Sequence, residues 1–133
     1  MRRTSPRTAA NIAGMNDPVT QFQILSKSPD ETAAFYGTLF GWKVDANNPM
    51  GYRRIDTGSS SGIQGGIWPA PPHAPNFVQL FVRVPDVAAS VAEATRLGAK
   101  VLIPATKLPE GDEMAVLLDP HGMSFGVVRQ AGS

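Results

Sequence analysis

A chain of 133 residues, 42% hydrophobic and 17% charged, is long enough to bury one ordinary core without cross-links. Its net charge of +1 provides no broad attraction to nucleic acid or to a membrane surface, and no apolar run reaches the length that spans a bilayer. The absence of cysteine excludes disulfides, thiolate nucleophiles and thiolate metal sites.

Residues 1–17 start with basic residues and are rich in Arg, Ser, Thr and Asn. They read as a flexible tail, and they lack the apolar stretch of a secretory signal, so a cytoplasmic protein is expected. Val19 to Leu25 alternates as a half-buried strand does: Phe22 and Ile24 point one way, and Gln21, Gln23 and Leu25 the other.

Ser28 to Val44 then reads as a helix followed by a strand. Ser28 is placed to be the N-cap, Pro29 the first helical residue, Glu31 the capping-box partner and Gly41 the terminator. Phe35 and Leu39, like Tyr36 and Phe40, stand four apart, which gives the helix a wide apolar side. Trp42 to Val44 predicts a short strand, residues 47–51 a turn, Tyr52 to Thr57 another strand, and Gly58 to Gly62 a serine-rich turn. Ile63 to Trp68 closes this half as a strand in which Gly65 and Gly66 mark a bulge or a close approach to the backbone.

Pro69 to Pro75 holds four prolines in seven residues and predicts a hinge. Phe77 to Val84 alternates again, with Val78, Leu80, Val82 and Val84 on the face expected to meet helices and Phe77, Gln79, Phe81 and Arg83 on the other. Pro85-Asp86 opens a second helix with Val87, Val91, Ala94 and Leu97 as its apolar stripe and Gly98 as its terminator. Lys100 to Ile103 predicts a strand stopped by Pro104. Glu113 to Leu118 and Ser124 to Val128 predict a hairpin across Asp119-Pro120-His121-Gly122, where Pro and Gly occupy positions that suit a type I turn.

Each half therefore reads β-α-β-β-β, and the two Pro-Asp helix starts, Asp30 and Asp86, lie 56 positions apart. With this repeat go Phe35-Tyr36 near the end of the first helix, Leu39-Phe40-Gly41-Trp42 after it, Leu97-Gly98-Ala99 after the second, and a closing Asp119-Pro120-x-Gly122-x-x-Phe125. Together they resemble the vicinal oxygen chelate superfamily, which includes glyoxalase I, bleomycin-resistance proteins and extradiol dioxygenases. The resemblance covers about residues 19–130. It implies an α+β fold of two tandem βαβββ modules that form an open U-shaped mixed sheet with helices on the outer face. After the tail, a single domain (18–130) would comprise module 1 (19–68), the hinge (69–75) and module 2 (76–130).

The resemblance also locates the residues that hold a metal where relatives use one, on the first and last strand of each module. Here those positions carry Gln21, Gln79, Gln64 or Gly66, and Gly126. Amides are weak, neutral metal donors and glycine offers no side chain, so no metal and no cofactor are expected. The two histidines fall in the hinge (His73) and the terminal turn (His121), and most carboxylates suit helix starts or turns; Asp56 and Glu113 are the exceptions, each on a predicted strand.

In place of a metal site, Gln21, Gln23, Gln64 and Gln79 are set among Tyr52, Trp68, Phe77 and Phe81. Amides that both donate and accept, beside aromatic walls, make the composition of a small-molecule pocket. The leading expectation is a metal-free protein of the bleomycin-resistance kind that binds a small, partly aromatic molecule, with a homodimer implied by the resemblance. The alternatives are a metal-dependent lyase, isomerase or dioxygenase, and a regulatory or interaction module. No Ser-His-Asp arrangement can be built, and the glycine-rich turn at Gly58 lacks the phosphate-loop pattern.

Overall fold

The structure, a computed structural model, describes residues 16–48 and 50–132. Most of the predicted tail and Pro49 of the predicted turn lie outside the described residues. Eight strands and two helices follow in the expected order: β1 (Val19–Ser26), α1 (Pro29–Phe40), β2 (Lys43–Asp45), β3 (Arg53–Asp56), β4 (Gln64–Pro69), β5 (Phe77–Arg83), α2 (Val87–Arg96), β6 (Lys100–Lys107), β7 (Glu113–Leu118) and β8 (Ser124–Arg129). The fold is α+β, two βαβββ passages with mixed strand pairing.

The chain divides into two compact units. Thr20–Phe81 forms one, and the residues from Val82 onward form most of the other. The division falls inside β5 and beyond the proline-rich hinge, because β5 takes its place next to β1 in the first unit.

In the first unit the strand order is β2-β3-β4-β1-β5. β1 and β4 run parallel in an unbroken register from Gln21 opposite Gln64 to Ser26 opposite Pro69, so the two glycines of β4 create no bulge. α1 packs on β4 and β2, and no residue of α1 is fully buried. Ser28 is its N-cap without a side-chain cap bond, so the expected capping box does not form. The buried Ser26 supplies the bonds instead: its Oγ accepts from the Ser28 amide at 2.9 Å and pairs with the Thr32 hydroxyl at 2.6 Å. Gly41 ends α1 at φ 74° and donates to the Gly37 carbonyl, and Trp42 then gathers Phe22, Tyr36 and Phe40 around it at centroid distances of 5.2 to 5.9 Å.

In the second unit β7 pairs antiparallel with both β8 and β6, and α2 packs on all three. Asp86 caps α2 by accepting from the Ala89 amide at 3.0 Å. Val87, Ala115, Leu117, Val127 and Val84 are the buried core, with Val82, Val91 and Ala94 against them. Leu97, expected in the apolar stripe, is exposed because the helix has ended at Arg96 and Gly98 turns the chain away at φ 104°. β6 also departs from expectation: it runs through Pro104 to Lys107, and its pairing with β7 shifts register on both sides of Ile103. An edge strand can carry a proline at such an irregularity because no ladder bond is required of every residue there.

The aliphatic face of β5 is a second correction. Val78 and Leu80 are 62% and 50% exposed, whereas Gln79 and Phe81 are buried. α1 packs on β4 and β2, and α2 on β6, β7 and β8; Val82 and Val84, at the end of the segment, join the apolar residues of α2 in one core cluster.

Candidate functional site

Strand alternation on β1 and β4 builds the site. On β4, Gly65 and Ile67 face α1's side, where the ring and carbonyl of Phe22 lie so close to Gly65 that a Cβ there would overlap them. Gln64, Gly66 and Trp68 face the other way, and Gln23 of β1 is in register with Gly66. A Cβ at Gly66 would overlap the hydroxyl and ring of Tyr52. Glycine is therefore what lets the phenol lie against this strand.

Asn48 fixes the backbone from which that ring projects. Its Oδ1 accepts from the amides of Met50 and Tyr52 at 3.0 and 3.1 Å, and its Nδ2 donates to the Tyr52 carbonyl at 2.6 Å. From this position Tyr52 stacks at 4.5 Å and 30° on Trp68, while Gln23 Nε2 donates to Tyr52 Oη at 3.3 Å. Gln23 itself is 5% exposed, and its Oε1 is buried with no hydrogen-bond partner among the described residues. A buried acceptor left unmet costs about 1–3 kcal/mol, which a partner brought from outside would recover. Burial pushes the Tyr52 phenol above its ordinary value of 10.0, against the smaller opposing effects of the Gln23 bond and the Arg54 charge. It is a neutral hydroxyl at physiological pH.

The other predicted residues are placed as follows. Gln21 is half-buried on the same side of β1, opposite Gln64. The Gln64 amide is engaged elsewhere: its Oε1 accepts from the Thr57 amide at 3.1 Å, and its Nε2 donates to the Thr57 hydroxyl at 3.1 Å and the Ser59 carbonyl at 3.2 Å. It staples the Gly58–Gly62 turn. Gln79 and Phe81 are buried on β5, and Phe77 is half-buried at its start. Tyr52 thus touches both Gln23 and Trp68, and the Gln64 amide is bonded away from them.

Two features escaped the sequence reading: Asn48 as the clamp on Tyr52, and the Arg53–Asp30 ion pair at 2.9 Å that ties β3 to α1. An Asn four residues before an aromatic is a weak signal for the first; nothing in the spacing marks the second.

The residues at the superfamily's metal positions do not fit a divalent ion. Gly66 is filled over by Tyr52, Gly126 is a buried glycine, the Gln64 amide is consumed by a turn, and only neutral amides remain at Gln21 and Gln79. Among the described residues no three His, Asp or Glu side chains come together as a metal cluster. Two shallow grooves lie on α1: one of about 340 Å³ between it and β2, lined by Ala33, Gly37, Trp42 and Arg53, and one of about 580 Å³ along Phe35 and Leu39. Neither includes the Gln23–Tyr52–Trp68 cluster. No helix among the described residues is long and apolar enough to cross a membrane.

Comparison with known proteins agrees with this architecture. The chain is 29% identical over 112 residues to "Putative glyoxylase CFP32" of Mycobacterium bovis and to the protein of the same name in Mycobacterium tuberculosis. That match covers 82% of this chain and 42% of the relative, so the chain spans less than half the length of the curated relatives it matches. Among solved structures, Streptomyces coelicolor methylmalonyl-CoA epimerase in complex with 2-nitronate-propionyl-CoA superimposes with a TM-score of 0.60 at 20% identity, covering 87% of this chain and 99% of that one. A hypothetical protein of Bacillus halodurans gives 0.65 at 12% identity over 89% and 97% of the two chains. The methylmalonyl-CoA epimerase of Mycobacterium tuberculosis gives 0.57 at 18% over 85% and 87%. At such identities the likeness is one of fold. The model of the glyoxalase-like domain matches residues 21–128, and the chain belongs to that family, within the vicinal oxygen chelate superfamily.

Proposed function

We propose that this glyoxalase-like domain binds a small, partly aromatic molecule at the Gln23–Tyr52–Trp68 cluster without using a metal, in the manner of a bleomycin-resistance protein. The observation that carries this reading is the buried Gln23 Oε1, which has no partner among the described residues beside an aromatic pair. An orphaned acceptor among aromatic walls is a polar handle for a ligand. The misfit between the residues at the family's metal positions and any divalent ion supports the metal-free part.

The reading includes a cytoplasmic homodimer. The exposed apolar side of α1, with Phe35, Leu39 and Phe40 each more than half exposed, supports an association of copies. Sedimentation at equilibrium tests it, and a single-chain mass across the concentration range would end it.

Two measurements test the binding function. Elemental analysis of untagged protein, before and after incubation with manganese, iron, nickel and zinc, is expected to find no stoichiometric metal; near one equivalent per chain would overturn the metal-free reading. A thermal-shift screen of small aromatic compounds is expected to yield stabilising ligands that also change Trp68 fluorescence and are lost in Gln23→Leu. Ligands that bind Gln23→Leu as well as the parent chain would remove the cluster as the site.

A further inference from the structure

The hydrogen-bond inventory of the cluster restricts what can bind there, and this inference rests on the binding reading above. Gln23 Nε2 is spent on Tyr52 Oη, at 3.3 Å, so the amide has only its Oε1 acceptor to offer. The Tyr52 oxygen receives that bond, so its own O–H is a donor with no acceptor among the described residues. The pair therefore presents one acceptor and one donor side by side, held by Asn48 on one strand connection and by the β1–β4 register on the other.

A carboxylate cannot satisfy this arrangement. It would set acceptor against acceptor at the buried Gln23 Oε1, where an unmet or repelled polar group is most costly. Arg54, whose charge acts on the phenol, does not reverse the balance: its side chain is 70% exposed and lies 4.0 Å from Asp45. A ligand that supplies an N–H to Oε1 and a C=O to the phenol meets both groups at once. The Tyr52–Trp68 pair at 4.5 Å favours a flat partner, since aromatic faces gain most from another planar group.

We propose that Gln23 and Tyr52 read the neutral edge of a planar heterocycle that carries an N–H next to a C=O, a lactam or cyclic imide. Recognition is by shape and complementary hydrogen bonding, and it discriminates against the anion of a similar ring.

Three probes test it on the full chain by calorimetry: 2-pyridone, N-methyl-2-pyridone and benzoate. Methylation removes the one donor and leaves the ring and carbonyl, so 2-pyridone is expected to bind about tenfold or more tighter than its N-methyl derivative, and tighter than benzoate. Gln23→Leu is expected to bring the ratio of the two pyridones to unity. Tyr52→Phe serves as the second variant: it removes the donor to the carbonyl and also frees Gln23 Nε2, so it weakens 2-pyridone, while 2-pyridone still binds tighter than its N-methyl derivative because its N–H keeps Gln23 Oε1 as acceptor.

Equal binding of the two pyridones, a preference for benzoate, or a ratio that survives in Gln23→Leu would each overturn the proposal. If none of the probes binds while the broader screen yields a ligand lost in Gln23→Leu, the lactam-edge proposal falls and the binding reading stands. An empty screen overturns both.

Discussion

The phenol of Tyr52 occupies the space that a side chain at Gly66 would need. Gly66 is one of the two positions where the superfamily resemblance puts a metal ligand on β4. A polar group is still delivered to that part of the strand, but it comes from a neighbouring loop and it is a neutral hydroxyl.

This pairing predicts a specific double-mutant result. Gly66→Ala pushes a methyl into the Tyr52 ring and is expected to cost about 1–3 kcal/mol in urea denaturation, as overpacked sites do. In a Tyr52→Ala background most of that cost disappears, giving a coupling of about 1 kcal/mol or more. Gly65→Ala provides the contrast: a Cβ there meets the Phe22 backbone carbonyl as well as its ring, so Phe22→Ala does not relieve it.

The helix starts are predicted to respond unequally to the same substitution. Asp86→Ala removes the bond from the Ala89 amide and is expected to cost about 1 kcal/mol. Ser28→Ala deletes a side chain that makes no cap bond, and its effect stays within about 0.5 kcal/mol. Ser26→Ala exceeds it, by about 1–3 kcal/mol, because it strips the acceptor from the Ser28 amide and the partner from Thr32.

Gln64→Ala is expected to separate turn from site. Amide hydrogen exchange at Thr57 accelerates, since its acceptor is the Gln64 side chain, while the affinity for any ligand of the Gln23 cluster is unchanged. A matching loss of affinity would return Gln64 to the site.

Alkaline pH tests the burial of Tyr52. Its phenol has a folded-state pKa raised above the ordinary 10.0, chiefly by desolvation, so above that pH the unfolded chain loses its proton first. The resulting contribution to stability is complete below pH 10 and is lost as pH rises toward the folded-state value. Chemical denaturation across this range is expected to show a downward slope that Tyr52→Phe reduces.

Wherever periodicity and punctuation acted over a few residues, the fold could be read from the chain. The βαβββ repeat, Gly41 and Gly98 as helix stops, and the hairpin across residues 119–122 all follow from local chemistry. The close approach flagged at Gly65 and Gly66 is real at both, with Phe22 and Tyr52 as the approaching groups.

Long-range partners were beyond its reach. Val78 and Leu80 carry the alternation of a helix-covered strand, but coverage depends on where α1 and α2 come to rest, which no property of β5 encodes. Gln64 and Gln23 have the same residue type and sit on the same side of neighbouring strands, yet one is drawn off by Thr57 and Ser59 and the other is left to Tyr52. That difference lies in the loops preceding β3 and β4, where composition says only that a turn exists. Pro104 misled for a related reason: a proline stops a strand only if its missing amide was needed, and at the edge of the second unit it was not.

The irregular course of β6 also bears on how the molecule behaves in a crowd. Val101, Leu102 and Ile103 are all exposed on a strand that has no second neighbour among the described residues, the pattern that invites one chain to extend the sheet of another. Pro104 withholds a donor immediately after them, and the flanking register shifts distort the row of backbone groups that a visiting strand would need to match. The interruption that spoils the strand as a sequence pattern acts as a guard against filament growth, placed beside the most adhesive stretch of that edge.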